Sequence, residues 1–234
     1  MGFIPKAVLL DLDGTIVHFA FDARRARSKI VEMLIEGGFS QELYKPEYRI
    51  SEIFNEFEEY LNSNSSEEDR EWLMTFKRRM SDLVEIYEME GAEKAVLIEG
   101  VVEALKELKR MGISLVIVTN NSSKPTFLTL RKVGLDSFFD TIVTREENGF
   151  MKPHSQPIER VMKMLDFKPE EALFVGDSHT DMKAAKTAGI TAIGVTTGTS
   201  DEETLKASGA SNVILSLSQL PAMIREGKIS TMNY

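Results

Sequence analysis

The segment Lys6-Ala7-Val8-Leu9-Leu10-Asp11-Leu12-Asp13-Gly14-Thr15 constrains this chain more than any other. It runs a short apolar strand straight into two carboxylates and a glycine turn. Residues 6–10 have the length and branching of a strand buried on both faces, the kind found in the middle of a parallel sheet. Side chains alternate along a strand, so Asp11 and Asp13 are expected to leave it on the same side. Gly14 lets the backbone turn where a Cβ would obstruct it. Two acids on one face at a buried strand's carboxyl end are costly unless a cation or a reaction uses them. In chains of average composition, Asp-x-Asp-Gly-Thr arises by chance in roughly one of a few hundred.

The rest of the chain alternates apolar strands with helical periodicity. After an apolar bridge over residues 16–21, Ala23, Ala26, Ile30 and Leu34 recur at spacings of three and four, with Gly37-Gly38 as the stop. Ile53, Phe54, Phe57, Tyr60 and Leu61 mark a second amphipathic helix. Ser65 followed by Glu68 reads as a capping box opening a third, whose stripe of Trp72, Leu73, Phe76, Met80, Leu83, Val84 and Tyr87 is expected to be bundle core. Residues 20–92 therefore read as a separate helical domain, inserted into a first domain made of residues 1–19 and 93–234. In that first domain, strands are expected at 113–118, 141–143, 172–175, 190–195 and 212–215, the last at an edge, with helices between them. Ser122-Ser123 can cap the helix that follows the second strand. Residues 217–226 look like a closing helix and 230–234 like a loose tail. Strands alternating with helices imply an α/β fold, a Rossmann-like parallel sheet with helices on both faces. Ligands of such sheets bind outside the carboxyl ends of the strands. Asp11, Thr119 and Asp177 fall at three such ends, and Lys152 follows a fourth.

Four segments in this order, namely Asp11 to Thr15, Thr119-Asn120, Lys152-Pro153 and Gly176-Asp177-Ser178-His179-Thr180-Asp181, resemble the motifs of the haloacid-dehalogenase-like hydrolase superfamily. Most members are Mg²⁺-dependent phosphatases. The resemblance implies roles for the matching positions. Asp11 resembles the nucleophile that forms an aspartyl-phosphate, and Asp13 the general acid and base, whose backbone carbonyl also ligates the metal. Thr119 and the Asn120 amide resemble the phosphate grip, steadied by Lys152. Asp177 resembles the remaining metal ligand, supported by Asp181 at i+4 on the following helix. A helical cap between the first and second motifs, as in phosphoglycolate phosphatases, implies a small phosphorylated metabolite as substrate. This chain has His18-Phe19 where those enzymes often continue with Asp-Ser, so the leaving-group pocket is expected to differ. A phosphomutase shares the same intermediate, but mutases of this type often carry a hinge histidine near the position of Ala23. A phosphoacceptor module or a non-catalytic binding protein is the rival from another class.

The charge chemistry agrees. At an effective dielectric of 20, a carboxylate 4 Å from each unit charge of a phosphate dianion is repelled by about 4 kcal/mol per charge. Hard oxygen ligands from Asp11 and Asp177 suit Mg²⁺, and Lys152 adds a second positive charge. The formal net charge of -9, with both signs interspersed over 234 residues, argues against a nucleic-acid partner. No run is long enough to span a membrane, and the chain enters its first strand without a signal-peptide core, so a cytoplasmic location is expected. Cysteine is absent, which excludes disulfides and thiolate zinc sites. His18, His154 and His179 lack metal-ligand spacing and are expected on loops or a site rim. Arg24 and Arg25 are expected on a solvated helix face.

Overall fold

The computed structural model describes residues 3–64 and 66–231. In chain order the strands are β1 (Ala7–Leu10), β2 (Val17–His18), β3 (Val96–Leu97), β4 (Ser114–Val118), β5 (Thr141–Val143), β6 (Ala172–Gly176), β7 (Thr191–Val195) and β8 (Asn212–Ile214). The helices are α1 (Ala23–Glu36), α2 (Ile50–Asn64), α3 (Glu67–Ala92), α4 (Val101–Arg110), α5 (Ser123–Lys132), α6 (Gln156–Leu165), α7 (His179–Thr187), α8 (Glu202–Ala207) and α9 (Leu220–Arg225).

Six strands form one parallel sheet in the order β5-β4-β1-β6-β7-β8. The first strand is central: Val8 pairs with Leu115 on one side and Leu173 on the other. Its residues feed two hydrophobic layers alternately, as the pleat requires. Val8 and Leu10 join Leu105 and Leu108 of α4, Leu130 of α5 and Ile224 of α9. Ala7 and Leu9 join Ile158 and Val161 of α6, Met182 of α7 and Leu205 of α8. The chain steps outward from β1 through β4 to β5, then crosses back to β6 and steps the other way. That reversal opens a crevice at the carboxyl ends of β1, β4 and β6.

Helices α1, α2 and α3 share a third hydrophobic cluster of their own, with Ile30, Leu34, Ile53, Phe57, Phe76, Met80 and Val84 buried. Phe39, in the loop after α1, lies 5.2 Å from Phe57 and 4.7 Å from Phe76, centroid to centroid. The expected aromatic stripe is thus mostly core, but Trp72 is 52% exposed. Its ring lies over Phe39 at 5.7 Å, at the bundle's rim. Met151, far along the chain, completes the cluster.

Some local expectations change. The apolar bridge over residues 16–21 contains β2, which pairs antiparallel with β3 and ties the entry of the helical excursion to its exit. Ser65 of the expected capping box lies outside the described residues. The α3 cap is Ser66, whose hydroxyl accepts from the Asp69 N–H. Ser122 occupies the N-cap position of α5, but its hydroxyl donates to Glu85 at 2.9 Å instead of capping. The closing segment is a 3₁₀ turn over Leu217–Gln219 followed by α9, which has Pro221 near its start. Helix α8 had no recognisable periodicity, being only six residues long. Of the expected tail, Ser230 donates its N–H to Asn212 Oδ1, and residues 232–234 lie outside the described residues.

Among the described residues no helix is long and apolar enough to cross a membrane. Phe57 is fully buried between α1, α2 and α3. Phe57→Ala should destabilise the protein by about 3–5 kcal/mol in urea unfolding; a loss below about 1 kcal/mol would contradict this packing.

Candidate active site

Three strand ends and one loop converge. Asp11 follows β1 and donates its N–H to Val175 O at 2.9 Å, which locks it beside β6. Thr119 follows β4 and Asp177 follows β6. Lys152 enters from the loop after β5 and is almost completely buried. Its ammonium makes contacts of 2.6 Å to Asp11 Oδ1, 2.7 Å to Asp181 Oδ1 and 2.7 Å to the Val118 carbonyl. An ammonium has three donors, and here each has an acceptor. Burial alone would pull the Lys152 pKa down, but Asp11 and Asp181 outweigh it and hold the charge on. Asp11 is pushed up by burial, with Lys152 opposing and Asp181, Asp177 and Asp13 adding to the rise.

Asp11, Asp177 and Asp181 each present an oxygen within 4.8 Å of the others, and all three are buried. Asp177 Oδ2 accepts the Thr199 N–H at 2.6 Å. A Cβ on Gly198 would stand 2.0 Å from that oxygen, so the loop backbone can approach only because residue 198 has no side chain. Burial, then the neighbouring Asp181, raises the Asp177 pKa to about 6. Asp181 belongs to α7, whereas Asp177 precedes the Ser178 N-cap. The helical i+4 spacing expected of this pair does not apply. Capping brings them together instead: Asp181 Oδ2 accepts from the Ser178 N–H at 3.1 Å and from its hydroxyl at 2.5 Å. Asp181 Oδ1 is left for Lys152.

Asp13 lines the same cavity as Asp11. Its Oδ2 accepts from Asn121 Nδ2 at 2.7 Å, while Oδ1 is buried with no hydrogen-bond partner among the described residues. Burial raises the Asp13 pKa to about 7, with Asn121 opposing and Glu88 adding. Asn121 was not singled out from the sequence; its one signal is its place directly after Thr119-Asn120. Thr119 is buried and its Oγ1 accepts the Asn121 N–H at 3.1 Å. Asn120 differs from expectation in its side chain, which is spent on the Lys152 backbone: Oδ1 accepts its N–H and Nδ2 donates to its carbonyl, both at 2.9 Å. Any contact of Asn120 with a ligand therefore falls to its main-chain amide.

A cavity of about 910 Å³ lies between these strand ends and the helical unit. Arg24, Arg49 and Glu88 reach its lining from the helical unit, and Arg145 from the sheet side. Arg145 and Glu88 form a buried ion pair, Nη1 to Oε1 2.6 Å, and Arg145 also donates to the Asn120 carbonyl at 3.1 Å. Arg24 thus faces the cavity, unlike Arg25, which sits over the Tyr87 ring at 5.4 Å. His18 lines the cavity. His179 is half-buried, its pKa lowered by burial and by Arg49. His154 stacks on Phe150 at 4.2 Å.

Known proteins resemble this chain over most of its length. The family profile described as haloacid dehalogenase-like hydrolase matches residues 8–195. The pyrophosphatase PpaX of Bacillus cereus is 31% identical over 195 residues, covering 79% of this chain and 80% of that protein. Among solved structures, a hydrolase from Pseudomonas syringae matches with a TM-score of 0.66 at 20% identity, over 94% of this chain and 98% of that one. A predicted phosphoglycolate phosphatase from Haemophilus somnus matches with a TM-score of 0.61 at 23% identity, over 93% and 97%. With its Rossmann-like sheet and the acidic crevice at the strand ends, this chain belongs to the haloacid dehalogenase-like hydrolase family.

Proposed function

We propose that this protein is a Mg²⁺-dependent phosphatase that hydrolyses a small phosphorylated metabolite through an aspartyl-phosphate on Asp11. Residues 20–92 act as a cap over a catalytic domain of residues 1–19 and 93–234. The observation that carries this reading is the charge balance around Lys152. Three clustered carboxylates, Asp11, Asp177 and Asp181, face one ammonium, which leaves two negative charges uncompensated when all are ionised. A hard divalent cation matches both that charge and the all-oxygen donor set. Asp11 and Asp177 would hold it with the Asp13 backbone carbonyl, and Asp181 would support them. When bound, Mg²⁺ supplies positive charge against the phosphoryl oxygens.

The residues then divide the work. Lys152 fixes the Asp11 carboxylate and neutralises part of the repulsion between it and the phosphoryl group. The Thr119 hydroxyl and the Asn120 main-chain amide grip the phosphoryl oxygens. Asp11 attacks phosphorus and the bond to the leaving oxygen breaks. Asp13, with a pKa near the operating pH, gives its proton to that oxygen and then takes one from the attacking water. Asn121 occupies Oδ2, so the unpartnered Oδ1 is the oxygen that presents the proton. Water attack releases phosphate and restores Asp11.

The leaving group faces Arg24 and Arg49, which make no ion pair with any described acid. Those cations favour a substrate with a second anionic group. The PpaX relatives make inorganic pyrophosphate one candidate beside phosphoglycolate-like carboxylates. A cavity of about 910 Å³ also has room for a sugar phosphate, which keeps a phosphomutase as the second reading. A screen for Mg²⁺-dependent phosphate release over these compounds separates them, because a mutase isomerises its substrate and releases little phosphate.

Asp11→Asn should lower Mg²⁺-dependent turnover of p-nitrophenyl phosphate by at least about 10³-fold; more than a tenth of parental activity would contradict a nucleophilic role. Asp13→Ala should slow phosphoenzyme breakdown by about 10²–10⁴-fold and leave Mg²⁺ affinity within about threefold. An equal loss of metal affinity would refute its acid-base role. A third expectation concerns pH. Asp13 and Asp177 bind protons more tightly folded than unfolded, so the stability this lends is complete at about pH 4 and lost as pH rises through 6 to 7. In chelator, Asp13→Asn should gain about 3 °C or more in Tm relative to the parent between pH 5 and 8; a constant difference would show that Asp13 does not titrate there.

A further inference from the structure

Two successive residues in the loop before α6 are each held by a single side-chain amide that engages both of their backbone groups. For Met151, Asn55 of α2 accepts the N–H at 2.7 Å and donates to the carbonyl at 2.9 Å. For Lys152, Asn120 does the same with both contacts at 2.9 Å. One clamp comes from the helical unit and the other from the sheet, and they meet at one peptide bond. Asparagine is a poor helix former, and Asn55 sits in mid-helix beside the buried Phe54 and Phe57. Its amide does nothing for α2 itself. Its contacts are with Met151, whose own side chain is buried in the cluster of α1, α2 and α3.

We propose that Asn55 is a positioning residue for Lys152: by clamping the Met151 backbone from α2 it sets the origin from which the lysine reaches Asp11 and Asp181. The proposal rests on the phosphatase reading of the Lys152 site. The ammonium must meet Asp11, Asp181 and the Val118 carbonyl together, at 2.6 to 2.7 Å. A backbone displaced by about 1 Å at Met151 shifts the point from which the lysine makes all three contacts, and misplacement on that scale can cost about 10²-fold in rate. The seating of the helical unit and the completeness of the catalytic charge set are thereby the same event. Simple adhesion between the two units is a different case, and Lys77 represents it. That residue, on α3, pairs with Glu58 and donates to the Gly149 carbonyl at 2.8 Å, two residues before Met151.

The test uses the full chain with Asn55→Ala, Asn55→Asp and Lys77→Met. Turnover of p-nitrophenyl phosphate is measured at saturating Mg²⁺, and backbone hydrogen exchange of residues 148–153 is measured without metal. Asn55→Ala should lower kcat by about 10- to 100-fold with KM within about threefold, and should speed exchange at Met151 and Lys152. Asn55→Asp keeps an acceptor for the Met151 N–H but loses the donor to its carbonyl; it should fall between, and it serves if the alanine variant does not fold. Lys77→Met should stay within about twofold of the parental kcat. The proposal is overturned if the Asn55 variants keep kcat within twofold, or if Lys77→Met loses as much as they do. A parent that turns over no phosphomonoester in Mg²⁺ overturns the phosphatase reading instead; exchange at Met151 and Lys152 then still decides whether Asn55 holds that segment.

Discussion

The structure depends on one buried ammonium. Lys152 lies among Asp11, Asp181 and the Val118 carbonyl, with contacts of 2.6 to 2.7 Å. An isolated buried lysine would shed its proton, and isolated buried aspartates would take one up. Here Asp11 and Asp181 outweigh the cost of burial and hold the charge on Lys152. These groups come from the end of β1, the loop after β5 and the first turn of α7. A parallel sheet that reverses direction beside β1 is what brings them to one place.

The second constraint is the dependence of the loop before Lys152 on the helical unit. Arg145 at its start is paired with Glu88 of α3 and touches the Asn120 carbonyl, while Met151 at its end packs among Phe54 and Phe57. A buried ion pair of this kind adds little net stability, because desolvation offsets most of its attraction. Breaking it from one side is costly, since the remaining charge has no partner. It joins α3 to the turn that carries Thr119, Asn120 and Asn121. Glu88 also contributes to the raised pKa of Asp13, so the helical unit acts electrostatically on the crevice it covers.

The strands were legible in the sequence because a buried parallel strand is an unbroken apolar run, and the acids at their ends stand out against it. Asp11, Thr119 and Asp177 could be placed at strand ends on that basis, while the roles expected of them came from the resemblance of the four segments taken together. Asp181 was placed for a reason that does not hold, since a capping box and not helical periodicity turns it toward the site. Asn121 and Asn55 were invisible for a shared physical reason. Each works through hydrogen bonds to residues 108 and 96 positions away, and no local pattern in a single sequence marks such a contact. The same holds for Asn120, whose side chain serves the Lys152 backbone. Trp72 followed the inward stripe in sequence yet lies at the rim, its ring stacked on Phe39 from a loop.

The central claim is that the acids at the end of β1 and β6 hold a divalent ion against a phosphoryl group that Asp11 accepts. Its most direct measurement is a crystal structure of the protein soaked with Mg²⁺ and beryllium fluoride, a mimic of an acyl phosphate. The account predicts beryllofluoride bonded to the Asp11 carboxylate, with Mg²⁺ between Asp11 and Asp177 and Lys152 still in contact with Asp11. An unmodified Asp11, with the ion bound elsewhere or not at all, would contradict it.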